Sequence, residues 1–368
     1  MANLDSILKR ALSFQRLDDG VLLNLLEIGG DEETRNIIEA ADIYNRKINS
    51  DKVSYVVNRN INFTNICGLN CKFCGYKRTE KSKDSFLLDY DAILEKIREG
   101  KDKIGIDEIC VTGGIYPALK PDYYFNLIKT VRDNFSDLHI HAFSPQEIYE
   151  LSKATEKSYR AVILKLIDMG LDSMPGTAAE ILAEDTRKKI CPEKISAPVW
   201  VEIIKTAHKT GLKTSATVLF GHIETSLDLV SHLSLLRQIQ DETRGFTEFI
   251  ALPFVPFKTS LAKKIDLMPA RNRIFRFYAV SRLYLDNFKN IQTSWPKIGT
   301  DAAVKSLFCG VNDFGGTLME ENITRSAGGK FGEYLSETQI KDFIRKAGKL
   351  ALRRDTLYNP AYEKKLCK

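Results

Sequence analysis

From residue 53 onward, patterns typical of strands and of helices alternate along the chain. Residues 107–112, 138–143 and 214–220 are short apolar runs that predict buried strands. The segments between such runs have the apolar spacing of helices. Parallel strands need crossover helices, so the alternation predicts an α/β protein with a parallel sheet. Roughly six to eight such units fit a TIM-type (β/α) barrel better than an open sheet with a second domain.

The same pattern predicts how the chain is divided into parts. It also predicts the local structure of three segments that carry polar residues. We expect three parts: a helical N-terminal extension over 1–50, the barrel over 51–335, and a C-terminal helix and tail packed on the barrel over 336–368. Within the barrel, we expect one helix over 177–189, a strand over 291–295 and a loop over 312–322.

Composition is that of an ordinary soluble enzyme. Of 368 residues, 43% are hydrophobic and 28% charged, which excludes disordered, collagen-like and disulfide-scaffold classes. The net charge of +6 is too weak to argue for nucleic acid or a membrane surface. No apolar stretch is long enough for a transmembrane helix, and the N-terminus lacks the apolar core of a signal peptide. We therefore expect a cytoplasmic protein.

Three of the seven cysteines lie within eight residues. Cys67, Cys71 and Cys74 form a C-x3-C-x2-C pattern after the first predicted barrel strand, where barrel enzymes place their chemistry. Three thiolates suit an iron–sulfur cluster, whereas zinc needs a fourth ligand that is not nearby. Three ligands leave one iron of a four-iron, four-sulfur (4Fe–4S) cluster open to S-adenosylmethionine (SAM). Phe73 is then placed to shield the cluster from water.

Two further strand ends carry candidate site residues. Gly113 and Gly114 end the second predicted strand and allow close approach of a ligand to the backbone, although a tight turn explains them equally well. His139 and His141 share one face of a strand and are candidates for substrate binding or proton transfer, against an equal prospect of hydrogen-bonded core histidines. A capping box is predicted to open the helix that follows.

Three more groups are candidates of lower specificity. Glu180 and Arg187, on one face of the helix predicted over 177–189, could hold the ribose and carboxylate of SAM, or form a solvated charge pair. His222 and Glu224 follow a strand and suit acid–base work or a helix N-terminus.

The late polar segment is the third of these groups. It offers hydrogen-bonding groups for a hydroxyl-rich ligand, with a plain loop as the alternative. The candidates are Asn312, Asp313, Thr317 and Glu320.

Several stretches together resemble the CofH family of radical SAM enzymes. The resemblance covers nearly the whole chain, about 50 to 358, and rests on residues 58–67, 140–145, 170–182, 312–323 and 354–358. Residues 176–180 read Gly-Thr-Ala-Ala-Glu, the CofH form, where related menaquinone-pathway enzymes have Gly-Gly-Gly-Ala-Glu.

The resemblance implies a reaction and its reactants. It implies a 4Fe–4S cluster on the three cysteines, with SAM bound near the glycine pair and cleaved to a 5'-deoxyadenosyl radical. The radical would start Cα–Cβ cleavage of L-tyrosine, and the 4-hydroxybenzyl group would join 5-amino-6-(D-ribitylamino)uracil in deazaflavin (FO) biosynthesis. It also implies a low-potential electron donor and a CofG-like partner enzyme.

One departure from the family keeps other functions open. The family usually reads Gln-Gly-Gly-hydrophobic-His-Pro after the second strand, and here Thr112 and Tyr116 replace Gln and His. If that His contacts substrate, Tyr116 becomes a substrate-binding candidate with altered properties. The alternatives are a menaquinone-pathway enzyme acting on a futalosine-type substrate and a non-catalytic iron–sulfur or zinc protein.

Overall fold

Ten parallel strands form a single sheet in the computed structural model, which describes residues 3–265 and 267–359. The tail expected to end at residue 368 therefore lies partly outside the described residues, as does Cys367. The strands are β1 (Lys52–Val56), β2 (Asn58–Asn62), β3 (Glu108–Thr112), β4 (His139–Ala142), β5 (Ser173–Met174), β6 (Lys213–Phe220), β7 (Phe246–Pro253), β8 (Ile291–Gln292), β9 (Asp313–Gly316) and β10 (Leu350–Arg353).

The sheet curls round into the barrel that the sequence predicts. From β2 to β9, each strand pairs with the next in chain order, and β9 then pairs with β1. Because Val57 alone separates β1 from β2, the two ends of the series meet on one continuous segment. The sequence predicts one strand there, and the structure divides it into two halves with different neighbours. The C-terminal strand β10 pairs with the first half, β1.

Helices cover the outside of the barrel. They are α1 (Leu4–Leu12), α2 (Asp19–Glu27), α3 (Asp31–Asn49), α4 (Tyr90–Ile104), α5 (Pro121–Asn134), α6 (Pro145–Thr155), α7 (Tyr159–Asp168), α8 (Glu184–Ile190), α9 (Ala197–Lys209), α10 (Ser226–Thr243), α11 (Arg271–Tyr284), α12 (Trp295–Ile298), α13 (Thr300–Ser306), α14 (Asn322–Ser326), α15 (Glu337–Lys346) and a 3-10 helix (Ser260–Lys263). In the described part of the chain, none is both long and apolar enough to cross a membrane.

Local sequence signals set the helix ends. Asp89 caps α4 by accepting a hydrogen bond from the Ala92 N–H at 2.8 Å, and Gly105 ends it in the left-handed conformation. Ser144 and Glu147 form the predicted capping box of α6. The N-terminal region is helical as predicted, with α2 and α3 packed on α10 and α11. The domain boundaries proposed at residues 50 and 335 stay predictions.

Three local predictions are wrong. Only α8 is helical within 177–189, because residues before it form an irregular turn in which Ala178 and Glu180 have positive φ. Residues 312–322 are not all loop, since β9 begins at Asp313. The strand at 291–295 ends at Gln292, and Trp295 already begins α12, whose first turn contains proline.

Candidate active site

The three cysteines lie on an irregular segment, residues 63–89, between β2 and α4. Backbone hydrogen bonds hold it to the barrel mouth: the Gly68 N–H donates to the Ile115 carbonyl at 2.7 Å, and the Lys72 N–H donates to the Ile190 carbonyl at 2.8 Å. All three thiols are free and partly exposed. The sequence thus places Cys67, Cys71 and Cys74 at the C-terminal mouth, as predicted.

The glycine pair allows the end of β3 to pack against this segment. A Cβ on Gly114 would lie 2.2 Å from the Ile66 carbonyl oxygen, and one on Gly113 would lie 2.5 Å from the Phe63 ring. The Gly114 N–H donates to the Thr64 carbonyl at 2.9 Å. The close approach that demands glycine is therefore made by the cysteine segment itself.

A cavity of about 360 Å³ opens between the cysteine segment and the strand ends. All three cysteines and both glycines line it. Asn62 and Thr112, the last residues of β2 and β3, also reach it. Its apolar wall comprises Leu69, Phe73, Leu219, Leu252, Phe254, Val255 and Ile323. Its ionisable groups besides the cysteines are Tyr76, Lys77, Glu147, Glu180, Lys194, Lys297 and Glu321.

Three buried polar atoms in the cavity wall have no hydrogen-bond partner among the described residues. They are Asn62 Oδ1, the Tyr76 hydroxyl and Glu147 Oε1. Buried polar groups are nearly always paired, because leaving one unpaired costs about 1–3 kcal/mol. Three such atoms around one cavity indicate a site built to receive polar groups of a ligand.

Glu147 is the carboxyl group most affected by this environment. Burial raises its pKa to about 7, although the Ser144 amide and hydroxyl, the Gly113 amide and the Lys194 charge act in the opposite direction. The hydrogen bonds from Ser144 go to Oε2, at 2.6 and 2.8 Å, and leave Oε1 open. The sequence identified Glu147 only as a helix-capping residue, and its second role follows from the cavity beside the cap.

Glu180 and Lys194 form an ion pair in the cavity wall. The Lys194 Nζ donates to Glu180 Oε1 at 2.6 Å and lies 5.7 Å from the centre of the Phe73 ring. Burial opposes ionisation of Glu180, but the Lys194 charge and hydrogen bond bring its pKa below the usual value. Glu180 therefore faces the cavity as an ionised acceptor.

Arg187 does not reach the cavity, and its predicted position beside Glu180 on one helix is wrong. Its buried guanidinium donates to carbonyls of the turn before α8, including Ala178 at 2.8 Å and Ala179. It also donates to Ile195 at 2.8 Å. Arg187 thus holds the turn that carries Glu180, which makes it a positioning residue.

The histidine pair lies low in the barrel rather than at its catalytic mouth. His139 is the first residue of β4, and both rings contact the Ser173 hydroxyl at 2.7 Å. The two side chains share one face, as predicted, but neither lines the cavity. Burial lowers the pKa of His141 to about 4, so the ring is neutral near pH 7. The placement favours the core interpretation.

Asp313 and Asn312 belong to the same lower end of the barrel, so the structure does not support a role in the mouth. Asp313 Oδ2 accepts hydrogen bonds from Ser54 at 2.6 Å, Arg354 at 2.5 Å and Tyr358 at 2.9 Å. Asn312 Oδ1 accepts a hydrogen bond from the buried Arg282 at 2.7 Å. These groups bind neighbours in the chain because they lie at the start of β9, opposite the cysteines.

Thr317 and Glu320 also bind within the chain. The Thr317 hydroxyl bridges the backbone of Asn58, accepting its N–H at 2.8 Å and donating to its carbonyl at 2.7 Å. Glu320 pairs with Arg59 and Lys96, each at 2.8 Å. Neither lines the cavity, whereas the next residue, Glu321, does.

The remaining candidates are not cavity residues either. Glu224 is fully buried and accepts hydrogen bonds from the Gly221 and His222 amides at 2.7 and 2.8 Å, while Arg273 pairs with it at 2.8 Å. This is a loop-closing carboxylate, in agreement with the helix N-terminus interpretation. Tyr116 lies on the rim, where its hydroxyl donates to Glu80 at 2.8 Å.

The mouth suits a 4Fe–4S cluster with SAM. In residues 3–265 and 267–359, no three His, Cys, Asp or Glu side chains converge on a point that could hold a single metal ion. A cluster makes a different demand, because each thiolate binds its own iron. Three free thiols line a cavity whose open acceptors, Glu147 Oε1 and Asn62 Oδ1, match the donor groups of SAM and substrate.

Comparison with known sequences assigns both halves of the chain. The radical SAM superfamily profile matches residues 61–236, and the profile of the CofH/MqnC C-terminal region matches residues 243–365. The chain is 41% identical over 336 residues to a 5-amino-6-(D-ribitylamino)uracil–L-tyrosine 4-hydroxyphenyl transferase of Methanococcus maripaludis (89% of this chain, 93% of the relative). Its identity to the like-named protein of Methanosarcina mazei is 40% over 365 residues (98% and 94%).

Solved structures agree on the fold alone. Methylornithine synthase (PylB) superposes with a TM-score of 0.71 at 18% identity, covering 93% of this chain and 95% of that one. HydG, a maturase of the FeFe-hydrogenase, superposes with a TM-score of 0.75 at 14% identity, covering 99% of this chain and 78% of that one.

Proposed function

The chain belongs to the 5-amino-6-(D-ribitylamino)uracil–L-tyrosine 4-hydroxyphenyl transferase family of radical SAM enzymes, and we propose that it catalyses the reaction for which that family is named. It would break the Cα–Cβ bond of L-tyrosine and join the 4-hydroxybenzyl group to ribitylaminouracil, with 2-iminoacetate, methionine and 5'-deoxyadenosine as the other products. The observation that carries the proposal is the cavity in which three cysteines and three unpaired polar atoms meet.

In this proposal, Cys67, Cys71 and Cys74 hold three irons of the cluster. When bound, the cluster and SAM supply the electron and the 5'-deoxyadenosyl radical that starts the reaction. Glu147 Oε1 accepts a hydrogen bond from the SAM ammonium group, because it is the buried carboxylate oxygen left open by the cap. Glu180, oriented by Lys194 and by the turn that Arg187 holds, accepts from the ribose hydroxyls.

The other cavity residues bind and shield the substrates. The apolar wall, including Phe254 and Val255, excludes water from the reacting groups and packs against the phenol ring. Asn62 Oδ1 remains for the amide and hydroxyl groups of the uracil and its ribityl chain, and the Tyr76 hydroxyl remains for the phenol hydroxyl of tyrosine. Holding both substrates beside each other supplies the alignment that bond exchange requires. A low-potential electron donor and a CofG-like enzyme that takes up the product complete the proposal.

The test is anaerobic turnover of the cluster-loaded protein with tyrosine and ribitylaminouracil, followed by mass spectrometry. We expect 5'-deoxyadenosine to form with tyrosine and much less with phenylalanine, because a pocket that binds a hydroxyl strongly rejects an analogue without it. If a futalosine derivative supports cleavage and tyrosine does not, the menaquinone-pathway alternative replaces this one. If SAM is not cleaved at all, the protein is a binding protein.

A further inference from the structure

Three partly buried lysines line the cavity, and Lys77 donates to Asn70 Oδ1. Lys194 is bonded to Glu180 at 2.6 Å. Lys297 also lines the cavity, yet its Nζ makes no hydrogen bond or ion pair with any residue that the structure describes. An ammonium group taken out of water without a partner is costly, which makes Lys297 a group that needs an anionic ligand.

The fold holds Lys297 rigidly in this place. It follows β8 on the short helix α12, which begins with the fully buried Trp295. The Trp295 indole N–H donates to the Gly316 carbonyl at 2.9 Å and fixes α12 against β9. Burial lowers the pKa of Lys297, whereas Glu321, Glu180 and Cys74 act in the opposite direction. Because β8 pairs with β9, Lys297 after β8 and Glu321 after β9 lie on the same side of the barrel mouth.

Glu321 provides the complementary charge on the same side. It is the N-cap of α14, and both carboxylate oxygens lie 3.2 Å from the Thr324 N–H. No ion pair within 4 Å joins it to the described residues, and its carboxylate is hydrogen-bonded only locally, to the amide and side chain of Thr324. Burial raises its pKa and the Lys297 charge lowers it. The Glu321 carboxylate can accept hydrogen bonds from an ammonium group, and the Lys297 ammonium group can donate to a carboxylate. Together they form two anchors for a zwitterionic ligand.

The charges of the ligands match this arrangement. The inference rests on the proposed function, in which SAM and tyrosine each bring one carboxylate and one α-amino group and the uracil brings neither. The strand order separates two groups of charges. Glu147 follows β4, and Glu180 and Lys194 follow β5, near the glycine pair that ends β3, whereas Lys297 follows β8 and Glu321 follows β9. We propose that Lys297 binds the α-carboxylate and Glu321 the α-amino group of the amino-acid substrate.

The pair would set both affinity and position. A zwitterion held at its two charged groups has a fixed Cα, so its side chain points in one direction, toward the apolar wall at Phe254 and Val255. The subsite therefore selects free α-amino acids over amines, acids and peptides. Selection of tyrosine over other amino acids then falls to the wall and to polar groups such as the Tyr76 hydroxyl.

The experiment pairs variants with substrate analogues that lack one charged group. Anaerobic calorimetry on the cluster-loaded, SAM-saturated protein would measure the affinities of L-tyrosine, tyramine and 3-(4-hydroxyphenyl)propionate. We expect Lys297→Gln to lower the affinity for tyrosine about 10- to 100-fold and to leave the affinity for tyramine, which lacks the carboxylate, unchanged. Glu321→Gln keeps an oxygen that can cap α14. We expect it to lower the affinities for tyrosine and tyramine and to leave the affinity for the propionate, which lacks the amino group, unchanged. Lys305→Gln, on the exposed face of α13, is the matched control.

The outcomes separate the anchors from the function. The assignment of Lys297 is overturned if Lys297→Gln lowers the affinities for tyrosine and tyramine equally. It is also overturned if this variant loses affinity for SAM while its affinity for tyrosine is unchanged. Retained tyrosine affinity in Lys297→Arg with unchanged SAM affinity supports it and shows that the variants fold. Absence of tyrosine binding by the unmodified enzyme, with turnover of a futalosine derivative, removes the proposed function together with the anchors. Normal tyrosine binding in both charge variants removes the anchors alone.

Discussion

Both ends of the barrel carry buried charged groups. Most of those at the lower end are paired, with Glu248 Oε2 as an exception, whereas several at the mouth have open positions. At the lower end, Asp313 accepts hydrogen bonds from three side chains, and Glu108 accepts from Asn58 at 2.8 Å and from Thr356. At the mouth, Glu147 Oε1 accepts no hydrogen bond and Lys297 donates none within the described residues. Charged groups that are paired within the chain stabilise the fold, whereas charged groups without a partner in the chain are available to bind ligands.

The C-terminal segment supplies partners for Asp313 and Glu108 at the lower end. After β10, Arg354, Thr356 and Tyr358 insert into the barrel from below and bond to the first residues of β3 and β9. No equivalent segment among the described residues fills the mouth, where the cysteine segment and the strand ends enclose a cavity. This matches the division in TIM barrels between a stabilising lower face and a catalytic upper face.

The largest expected effect tests the mouth. Replacing Cys67, Cys71 or Cys74 by Ala should abolish both iron binding and SAM cleavage, because three ligands are the minimum for a site-differentiated cluster. Iron analysis and absorbance after anaerobic reconstitution measure the first, and 5'-deoxyadenosine the second. Cys309→Ala, a buried thiol away from the cavity, is the control and should keep the cluster. A protein that binds zinc and no iron after reconstitution would contradict the assignment of the mouth to a 4Fe–4S cluster.

The second prediction tests the lower end. Asp313→Asn should lower the free energy of unfolding by about 3–5 kcal/mol, because it leaves the buried Arg354 charge without its counter-ion. SAM affinity should be unchanged, since neither residue lines the cavity. Urea denaturation and calorimetry measure the two quantities. Weakened SAM binding at unchanged stability would show that the lower network belongs to the active site.

The contrast between the ends also explains what the sequence could predict. Apolar periodicity records burial, so the βα alternation and the position of the cysteine segment follow from it. The helix predicted over 177–189 failed because its Ala- and Glu-rich composition gives local propensity alone, and Arg187 binds the carbonyls of the turn instead. The strand β9 was missed because its one polar side chain, Asp313, bonds to partners such as Arg354, 41 residues away.

The missed cavity residues have the same cause. A single lysine such as Lys194 or Lys297 looks like any surface lysine in the sequence, and only the fold shows that it is buried. The capping box at Ser144 and Glu147 was predicted correctly, but its free oxygen gains meaning from the cavity beside it. Placement after a barrel strand was the one available signal for Lys297, which follows β8.

The third prediction separates a cavity residue from the residue that positions it. Arg187→Gln should lower the free energy of unfolding by about 2–3 kcal/mol, because several buried carbonyls lose their donor. Glu180→Gln should also lower stability, because the Lys194 ammonium group loses its counter-ion, and it should weaken SAM binding about tenfold, because one charged hydrogen bond to SAM is lost. Thermal unfolding and calorimetry on both variants measure the split. A loss of SAM affinity in Glu180→Gln that is no larger than the loss in Arg187→Gln would contradict the assignment of Glu180 to SAM.

The fourth prediction concerns pH. The pKa of Glu147 is raised to about 7 from a usual 4.5, so the folded state holds a proton that the unfolded state releases. Its contribution to stability is complete below pH 4.5 and is lost as pH rises through 7, by about 1.4 kcal/mol per pH unit. The difference in unfolding free energy between wild type and Glu147→Gln, measured from pH 5 to 8, should show this slope. Saturating SAM should flatten it, because a bound ammonium group stabilises the carboxylate.

The smallest expected effect concerns the rim. Tyr116 stands where the family has histidine, but it is partly exposed, bonds to Glu80 at 2.8 Å and does not line the cavity. Tyr116→His should therefore change kcat/KM by no more than about twofold, as for other surface substitutions. Tyr116→Phe, which removes only the bond to Glu80, should behave in the same way. A change in kcat/KM above about tenfold in the histidine variant alone would show that the rim closes over the substrate during turnover. Residue 116 would then belong to the active site rather than to its rim.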